Sequence, residues 1–208
     1  MSGATMVETS SRRDLILDRA AELFARKGVA ATTVREIADS VGLLSGSLYH
    51  HFESKDAIVD QLLRSYLDDL LQRYRAAMAE DLGPREMFDR LVHASFEAVD
   101  AHPHATEIFQ NDFNLLRNEP RFKYLEKAAG EVQKTWLAVI ERGNETGVFR
   151  TSMQPKVIYR IVRDVVWLSV RWYDPKPDYG LRELADDCTS TLLDGISAKA
   201  APRRKAAR

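Results

Sequence analysis

The sequence predicts an all-α chain of about nine helices, and three observations support this class. Apolar residues recur at the three- and four-residue spacing of amphipathic helices over most of the 208 residues, with almost no alternating strand pattern. Capping residues, glycines and prolines punctuate these stripes where helices begin and end. The composition, 45% hydrophobic and 29% charged residues, is typical of a folded globular chain with a sizeable core.

The first four helices are bounded by residues with capping roles. Ile16, Ala20 and Phe24 share one face of a first helix that runs from Arg13 to Lys27. A long fourth helix holds one apolar stripe from Val59 to Tyr74. The expected boundaries are a stop at Gly28, a capping box of Thr33 and Glu36 on the second helix, a turn at Gly42, and N-caps at Ser45 for the third helix and Ser54 for the fourth.

Prolines bound most of the remaining five helices, because proline fits the first helical turn but not the interior. The expected boundaries are Pro84 in the first turn of the fifth helix, His102-Pro103 at its end, Glu119-Pro120 between the sixth and seventh, Gly143 near the end of the seventh, Pro155 at the start of the eighth, and DPKPDYG (174–180) before a ninth helix from Leu181 to Ile196.

Three short helices and a long one, with a glycine turn between the second and third, form the arrangement of a helix-turn-helix. We therefore predict a DNA-binding domain over residues 10–56, followed by a larger helical domain over residues 57–197. Residues 1–9 and the basic stretch 198–208 are predicted to be flexible tails. The formal charge of −1 means that any contact with double-stranded DNA must be local.

The third helix of a helix-turn-helix enters the major groove, so its outward residues must be small or able to hydrogen-bond. The candidate DNA-binding residues are Thr33, Arg35, Ser45, Gly46, Ser47, Tyr49, His50 and Lys55. We expect Ser45, Ser47 and His50 to influence which sequence is bound. Thr33, Tyr49 and Lys55 should mostly hold phosphates. The alternative is that these serines and glycines only end one helix and start the next.

The spacing of the histidines does not favour a metal site. His50 and His51 are adjacent on a helix and point about 100° apart, so they do not easily face one ion. We expect His51 to pack inward beside Phe52 and His50 to face the DNA side. His102 and His104 stand at a helix boundary without a cysteine or carboxylate cluster, so solvent or pocket polarity is favoured over metal binding.

The alternative class of function is a small helical enzyme that uses His, Asp or Glu. The sequence has no phosphate-binding loop, nucleophile motif or metal cluster, so we predict no catalytic residue, metal or cofactor. The single cysteine, Cys188, suits a reducing cytoplasm. No stretch approaches about 18 uninterrupted apolar residues, so we expect a cytoplasmic protein without a secretion signal or membrane span.

Charged residues interrupt an apolar, aromatic-rich stretch between Tyr159 and Tyr173. A charge on such a helix needs a partner or a ligand, and residues four apart share one helical face. The candidate ligand-binding residues are Arg163, Trp167, Phe96, Phe113 and Arg171, with Phe109 and Tyr124 as further candidates for the same wall. The alternative is an ion pair of Arg160 with Asp164, a Trp anchor at a dimer interface, and aromatic residues that only fill the core.

The segment TTVREIADSVGLLSGSLYHHFESKDAIV (32–59) resembles the DNA-binding domain of TetR-family transcriptional repressors. The matching positions are Thr33, Ile37-Ala38, Gly42, Gly46, Leu48-Tyr49, His51-Phe52 and Lys55. The remaining helices agree in number and length with the variable regulatory domain of the family, which implies that residues 57–197 form a ligand-binding and dimerisation domain. The resemblance implies a ligand-controlled repressor that binds a palindromic operator as a homodimer, with helices eight and nine at the dimer interface.

Three further segments, ASFEAV (94–99), PRFKYLE (120–126) and YRIVRDVVWLSVRWY (159–173), are similar to actinobacterial repressors of late cholesterol catabolism, which control breakdown of the C and D rings. This resemblance implies an effector that is a CoA thioester of a steroid ring-degradation intermediate, with Arg163 at its polar part and Trp167 against its rings. The alternative is a repressor of drug efflux or of fatty-acid metabolism that responds to another amphipathic ligand. An acidic pocket would favour cationic drugs, whereas paired arginines favour an anion.

Overall fold

The computed structural model describes residues 3–150, 152–174 and 176–194, with side chains from residue 12 onward. Over these ranges the chain forms nine α-helices, two short 3-10 helices and no β-strand, which confirms the predicted all-α class. The α-helices are α1 (Gly3–Lys27), α2 (Val34–Ser40), α3 (Ser45–Leu48), α4 (Lys55–Met78), α5 (Pro84–Ala101), α6 (Pro103–Leu116), α7 (Tyr124–Glu145), α8 (Pro155–Trp167) and α9 (Leu181–Asp194).

The predicted turn and cap signals of the N-terminal helices are confirmed. Thr33 caps α2 in a capping box with Glu36, and the side chain of Ser54 caps α4. Gly28 and Gly42 have φ of 82° and 67°, in the left-handed region that glycine adopts at little cost. The chain therefore turns sharply after α1 and again between α2 and α3.

Two predictions for this region are wrong. The first helix begins at Gly3 rather than near Arg13 and so overlaps the predicted tail, because residues 4–12 contain no proline or glycine that would end it. Ser45 is not the N-cap of α3, because Leu44 has the extended cap conformation (φ −75°, ψ 144°) and Ser45 is already helical. With its end at Leu48, α3 is a single turn.

The long fourth helix connects the two predicted domains. It packs against α1 near its start and against α5, α6 and α7 further along. Its buried stripe runs from Ile58 to Ala77 and includes Tyr66, Leu70 and Tyr74. Since α6 packs against both α1 and α4, the regulatory helices touch the DNA-binding helices directly.

In the larger domain, Pro84 opens α5 and His102 ends it, as the sequence predicted. Helix α5 is central because α4, α7, α8 and α9 all pack against it. The ninth helix is described as far as Asp194, so its predicted end at Ile196 and the basic tail 198–208 lie outside the described residues. None of the described helices combines the length and the apolar character that crossing a membrane requires.

The stretch from Tyr159 to Tyr173 is not one continuous helix. Helix α8 ends at Trp167, and a 3-10 helix follows over Leu168–Arg171. A 3-10 helix turns more tightly than an α-helix. Arg171 therefore does not share a helical face with Arg163, as the eight-residue spacing between them would predict for a continuous α-helix.

The end of α7 contains two glycines in different roles. Gly147 has φ of 74° and makes the turn, whereas Gly143 lies inside the helix, two residues before its end at Glu145. The ring of Phe149 packs against Gly143, and Phe149 N donates a 2.9 Å hydrogen bond to Gly143 O. A side chain at Gly143 has no room, because a Cβ atom there would lie 2.0 Å from Phe149 Cδ2.

We therefore expect Gly143→Ala to lower the free energy of unfolding by about 1–3 kcal/mol, since the hydrogen bond holds Phe149 in place and the added methyl overpacks it. Gly130→Ala is the matched control in the same helix, because a Cβ atom there would meet no heavy atom of the described chain within 4 Å. This control should gain up to about 1 kcal/mol from helix propensity. Urea unfolding of both variants checks the prediction, and equal effects would contradict it.

Candidate functional site

The start of α2 is held by a network around Glu36. Its carboxylate accepts hydrogen bonds from Thr33 N at 2.9 Å and from the Thr33 hydroxyl at 3.0 Å, and it pairs with Lys27. These contacts lower the pKa of Glu36 to about 2, and the contact with Lys27 has the largest effect. The stabilisation from Glu36 is therefore present above the ordinary carboxyl pKa and is lost as the pH falls towards 2.

The single turn of α3 presents its predicted residues outward. Gly46 and His50 are exposed, the side chain of Tyr49 is 55% exposed, and Ser45 and Ser47 are half-buried. Leu48 is fully buried and fixes this orientation. Small and hydrogen-bonding groups are therefore accessible at α3, as the predicted contact with the major groove requires.

Leu44 lies on the same surface and was missed by the sequence analysis. It is 81% exposed at the N-cap of α3, whereas its neighbour Leu43 packs partly against the core. Consecutive residues of an extended segment point to opposite sides, and this was the signal that one of the two leucines must face outward.

Lys55 has a structural role that its sequence position did not reveal. Its ammonium donates hydrogen bonds to Val29 O at 2.7 Å and Thr32 O at 2.9 Å, which ties the start of α4 to the loop between α1 and α2. An ammonium group has three donors, so one stays available for the predicted phosphate contact. Arg13, also missed, donates to His51 O and lies 4.0 Å from the centre of the Phe52 ring.

A cavity of about 650 Å³ lies between α4, α6, α7 and α8. Its apolar and aromatic wall is formed by Tyr66, Leu67, Leu70, Phe109, Phe113, Val132, Tyr159 and Trp167. Arg117, Arg160 and Arg163 also line it, together with a single acidic residue, Glu126. The cavity therefore combines a large apolar surface with an excess of positive charge, which suits an amphipathic anion.

The three arginines differ in their partners. Arg163 donates to Asp164 at 2.7 and 2.8 Å, and 45% of its side chain is exposed. Arg117 pairs with Glu126 at 3.4 Å, whereas Arg160 forms no ion pair within the described parts of the chain. Asp164 therefore pairs with Arg163 and not with Arg160, which was the alternative expected from the sequence. The Arg163–Asp164 and Arg117–Glu126 pairs lie at the surface and contribute little to stability.

Several predicted ligand-binding residues line the cavity and others do not. Arg163, Trp167 and Phe113 line it, as does Phe109. Phe96 does not line the cavity, because it is a fully buried core residue of α5. Arg171 and Tyr124 are also absent from the wall: Arg171 donates to Asn111 Oδ1, and the Tyr124 ring packs 3.9 Å from the Arg64 guanidinium. Tyr66 and Arg117 line the cavity but were not predicted from the sequence, and Arg160 was predicted only as an ion-pair partner.

Helix α6 joins this cavity to the DNA-binding helices. Phe109 and Phe113 line the cavity, and between them Asp112 accepts a 3.2 Å hydrogen bond from Val29 N in the loop after α1. This link was missed by the sequence analysis, because the two residues are 83 positions apart. Movement of α6 in the cavity would therefore act directly on the loop that Lys55 also holds.

The histidines follow the predicted pattern where the structure describes it. His50 is exposed and His51 is half-buried beside the buried Phe52. His102 lies 3.4 Å from Asp69 Oδ2, a polar contact at the junction of α5 and α6. In the described ranges, one group of potential metal ligands occurs elsewhere: His93 lies 3.0 Å from Asp186 and 3.6 Å from Asp89 on the surface.

Comparison with known proteins defines the class. Residues 16–62 match the family model of the tetR family of bacterial regulatory proteins, and residues 81–196 match the tetracyclin repressor-like C-terminal domain. The chain therefore belongs to the TetR family, whose members bind operator DNA, dimerise and bind small-molecule ligands. Its relatives in the family are transcriptional repressors and not enzymes, and the chain is therefore a transcriptional repressor.

Within the family the chain is similar to the HTH-type transcriptional repressor KstR2. It is 43% identical to KstR2 of Rhodococcus jostii (strain RHA1) over 189 residues, which cover 91% of this chain and 93% of that protein. The solved structure of the ketosteroid transcriptional regulator KstR2 of Mycobacterium tuberculosis has a TM-score of 0.83 and 41% identity, covering 90% of this chain and 96% of that one. The probable transcriptional regulatory protein RHA5900 has a TM-score of 0.85 and 42% identity, covering 90% and 100%.

The Lys55 contacts generate a prediction for stability. Lys55→Met keeps the aliphatic stem but removes both hydrogen bonds to the loop, so we expect the free energy of unfolding to fall by about 1–3 kcal/mol. Arg35→Met is the control, because the Arg35 side chain is 83% exposed and its pair with Asp39 is 3.7 Å long. It should change stability by less than about 0.5 kcal/mol. Denaturant unfolding that finds Lys55→Met as stable as the wild type would contradict the role assigned to Lys55.

Proposed function

We propose that this repressor binds a palindromic operator as a homodimer and is released by a CoA thioester of a steroid ring-degradation intermediate. The main observation that supports this class of ligand is the cavity, which has an aromatic wall and three arginines. CoA supplies phosphates that guanidinium groups bind well, and a ring remnant supplies the apolar body that the aromatic wall can cover.

At the DNA, Ser45, Ser47 and His50 are proposed to read base edges, while Gly46 lets the backbone approach. The groups proposed to hold phosphates are Thr33, Arg35, Tyr49 and Lys55. Thr33, Arg35 and Tyr49 are exposed, which supports this assignment. Lys55 is half-buried and contributes its remaining donor. Phosphate contacts fix the position of the protein on the duplex, and base contacts select the sequence.

The dimer is proposed to form through α8 and α9. One helix-turn-helix covers too little DNA for strong specificity, and a two-fold pair reads two half-sites. Apolar residues on α8 are left exposed on the single chain, with Val157 at 40% and Ile161 at 42%. Leu192 and Leu193 of α9 border the same surface, so a second copy can bury a continuous apolar face.

The names of related proteins support the choice of ligand class. KstR2 of Mycobacterium tuberculosis is a ketosteroid regulator, and its 41% identity with this chain is found over 90% of this chain. AibR, which shares the fold at a TM-score of 0.74 and 17% identity, has been solved with isovaleryl coenzyme A and operator DNA. The fold can thus accommodate a CoA thioester together with DNA recognition.

The alternative ligands fit the cavity less well. A cationic drug, as expected for a repressor of efflux, would meet three guanidinium groups and one carboxylate that already pairs with Arg117. A straight-chain fatty acyl-CoA shares the anionic part but leaves the aromatic wall partly uncovered. Thermal shift with ring-bearing and straight-chain CoA thioesters separates these cases, because a bound ligand stabilises the folded state by mass action.

The spacing of the two recognition helices must differ between the form of the dimer that fits the operator and the form that does not. Release requires that the ligand bind the second form more tightly, since equal affinity for both forms would leave their populations unchanged. Helix α6 is proposed to transmit the change. It lines the cavity with Phe109 and Phe113 and holds the loop after α1 through Asp112.

Arg163→Met and Trp167→Leu test the cavity as the ligand site. Each should leave operator binding intact and raise the ligand concentration for half-release by about tenfold or more, because a charge-assisted contact or a ring contact is lost. Arg171→Met is the matched control, because this arginine contacts Asn111 outside the cavity wall. Gel shifts with a decalin-carbonyl-CoA as the titrant provide the measurement.

The proposal fails if both cavity variants release DNA at the wild-type ligand concentration. It also fails if free steroids or drugs bind the wild type while CoA thioesters do not.

A further inference from the structure

Two buried tyrosines on α4 differ in how their hydroxyl groups are satisfied. Tyr66 and Tyr74 lie two turns apart on the same helix, and both are almost completely buried. The Tyr74 hydroxyl accepts from Trp136 Nε1 at 2.8 Å and donates to Ser95 Oγ at 2.6 Å, while Ser95 donates onward to Leu91 O at 2.7 Å. Tyr74 is therefore fully engaged inside the protein.

The Tyr66 hydroxyl has no hydrogen-bond partner within the described parts of the chain. Its ring is held by edge contacts, with the Phe109 ring centre at 6.0 Å and the His102 ring centre at 6.1 Å. The neighbouring Thr106 hydroxyl is used as a donor to His102 O at 2.9 Å. A buried hydroxyl without a partner carries an uncompensated desolvation cost, which a phenylalanine of the same shape would avoid.

The surroundings of this hydroxyl place it at the ligand cavity. Tyr66 lines the cavity together with Tyr159 and Trp167. The Thr106 and Trp167 side chains lie near the Tyr66 hydroxyl, but neither reaches it with the distance and angle of a hydrogen bond. Burial raises the pKa of the Tyr66 phenol above its ordinary value, so the group stays neutral and keeps its proton. A neutral O–H in an apolar wall is suited to donate to an uncharged acceptor oxygen.

We propose that the Tyr66 hydroxyl is a specificity-determining donor to a carbonyl oxygen in the apolar part of the effector. The inference rests on the proposed function and extends it. The guanidinium groups of Arg117, Arg160 and Arg163 bind the anionic part, and Tyr66 recognises a neutral carbonyl. That carbonyl belongs either to a ring ketone or to the thioester itself, and a ligand without a carbonyl at this position leaves the hydroxyl unpaired.

Three synthetic probes separate these sources. The first is decalin-2-carbonyl-CoA, which has the thioester carbonyl alone. The second is its 6-oxo derivative, which adds a ring ketone. The third is the thioether S-(decalin-2-ylmethyl)-CoA, which has no carbonyl in this part of the molecule. Isothermal titration of each probe into full-length wild type, Tyr66→Phe and Tyr74→Phe gives nine affinities under one set of conditions.

Tyr66→Phe should weaken binding of a carbonyl probe by about tenfold, as expected for one lost hydrogen bond, and leave the thioether unchanged. A loss confined to the 6-oxo probe assigns the ring ketone as the partner, and an equal loss for both thioesters assigns the thioester carbonyl. Either pattern supports the proposal. Tyr74→Phe should affect the three probes alike, because Tyr74 bonds inside the core.

Two outcomes of these titrations overturn the inference. The first is that Tyr66→Phe binds all three probes with wild-type affinity, or loses affinity equally for all three. Either result leaves the proposed function intact. The second is failure of every probe to bind the wild type, which removes the proposed function and this inference with it.

Thermal unfolding of the free proteins gives an independent check. Tyr66→Phe should melt at or above the wild-type temperature, because it removes a hydroxyl without a partner, whereas Tyr74→Phe should melt lower, because it breaks a buried network. If Tyr66→Phe lost as much stability as Tyr74→Phe, its hydroxyl would be bonded inside the protein and the inference would be overturned.

Discussion

The hydrogen bond from Val29 N to Asp112 Oδ2 is the contact on which the proposed switch depends. It crosses from the regulatory domain to the loop after α1, and the same loop is held from the other side by Lys55 at the start of α4. The position of the helix-turn-helix is thus set by two helices, α4 and α6. Both of these helices also line the cavity, so an occupant that displaces either one changes the support of the DNA-binding surface.

The cavity and its charges explain why such an occupant would be an amphipathic anion. Phe109 and Phe113 cover the wall on α6, while Arg160 and Arg163 enter from α8. Because α8 is also the proposed dimer helix, an anion bound there would act on the helix that is proposed to set the spacing of the two recognition helices. The buried stripe of α4 and the core around α5, which consist mainly of apolar residues, stabilise the fold.

Much of the DNA-binding region could be predicted from the sequence because its signals are local. A capping box at Thr33 and a left-handed glycine at Gly42 act within a few residues, and both were confirmed. Ser45 was wrongly assigned because Leu44 had already taken the cap position. The cavity was predicted only in part, because four helices distant in sequence form it: Phe96 and Phe113 look alike as aromatic residues, and only packing shows that one fills the core and the other lines the wall.

The coupling through Asp112 is tested most directly by the ligand affinity of the free and operator-bound dimer. Asp112→Ala removes the acceptor for Val29 N, whereas Asp112→Asn retains a carbonyl oxygen that can accept. We expect Asp112→Ala to bind the CoA thioester with wild-type affinity in the absence of DNA. The ratio of ligand affinity for the free dimer to that for the operator-bound dimer should fall about fivefold or more towards unity in this variant. In Asp112→Asn the ratio should stay close to the wild-type value. A wild-type ratio in Asp112→Ala would contradict transmission through α6.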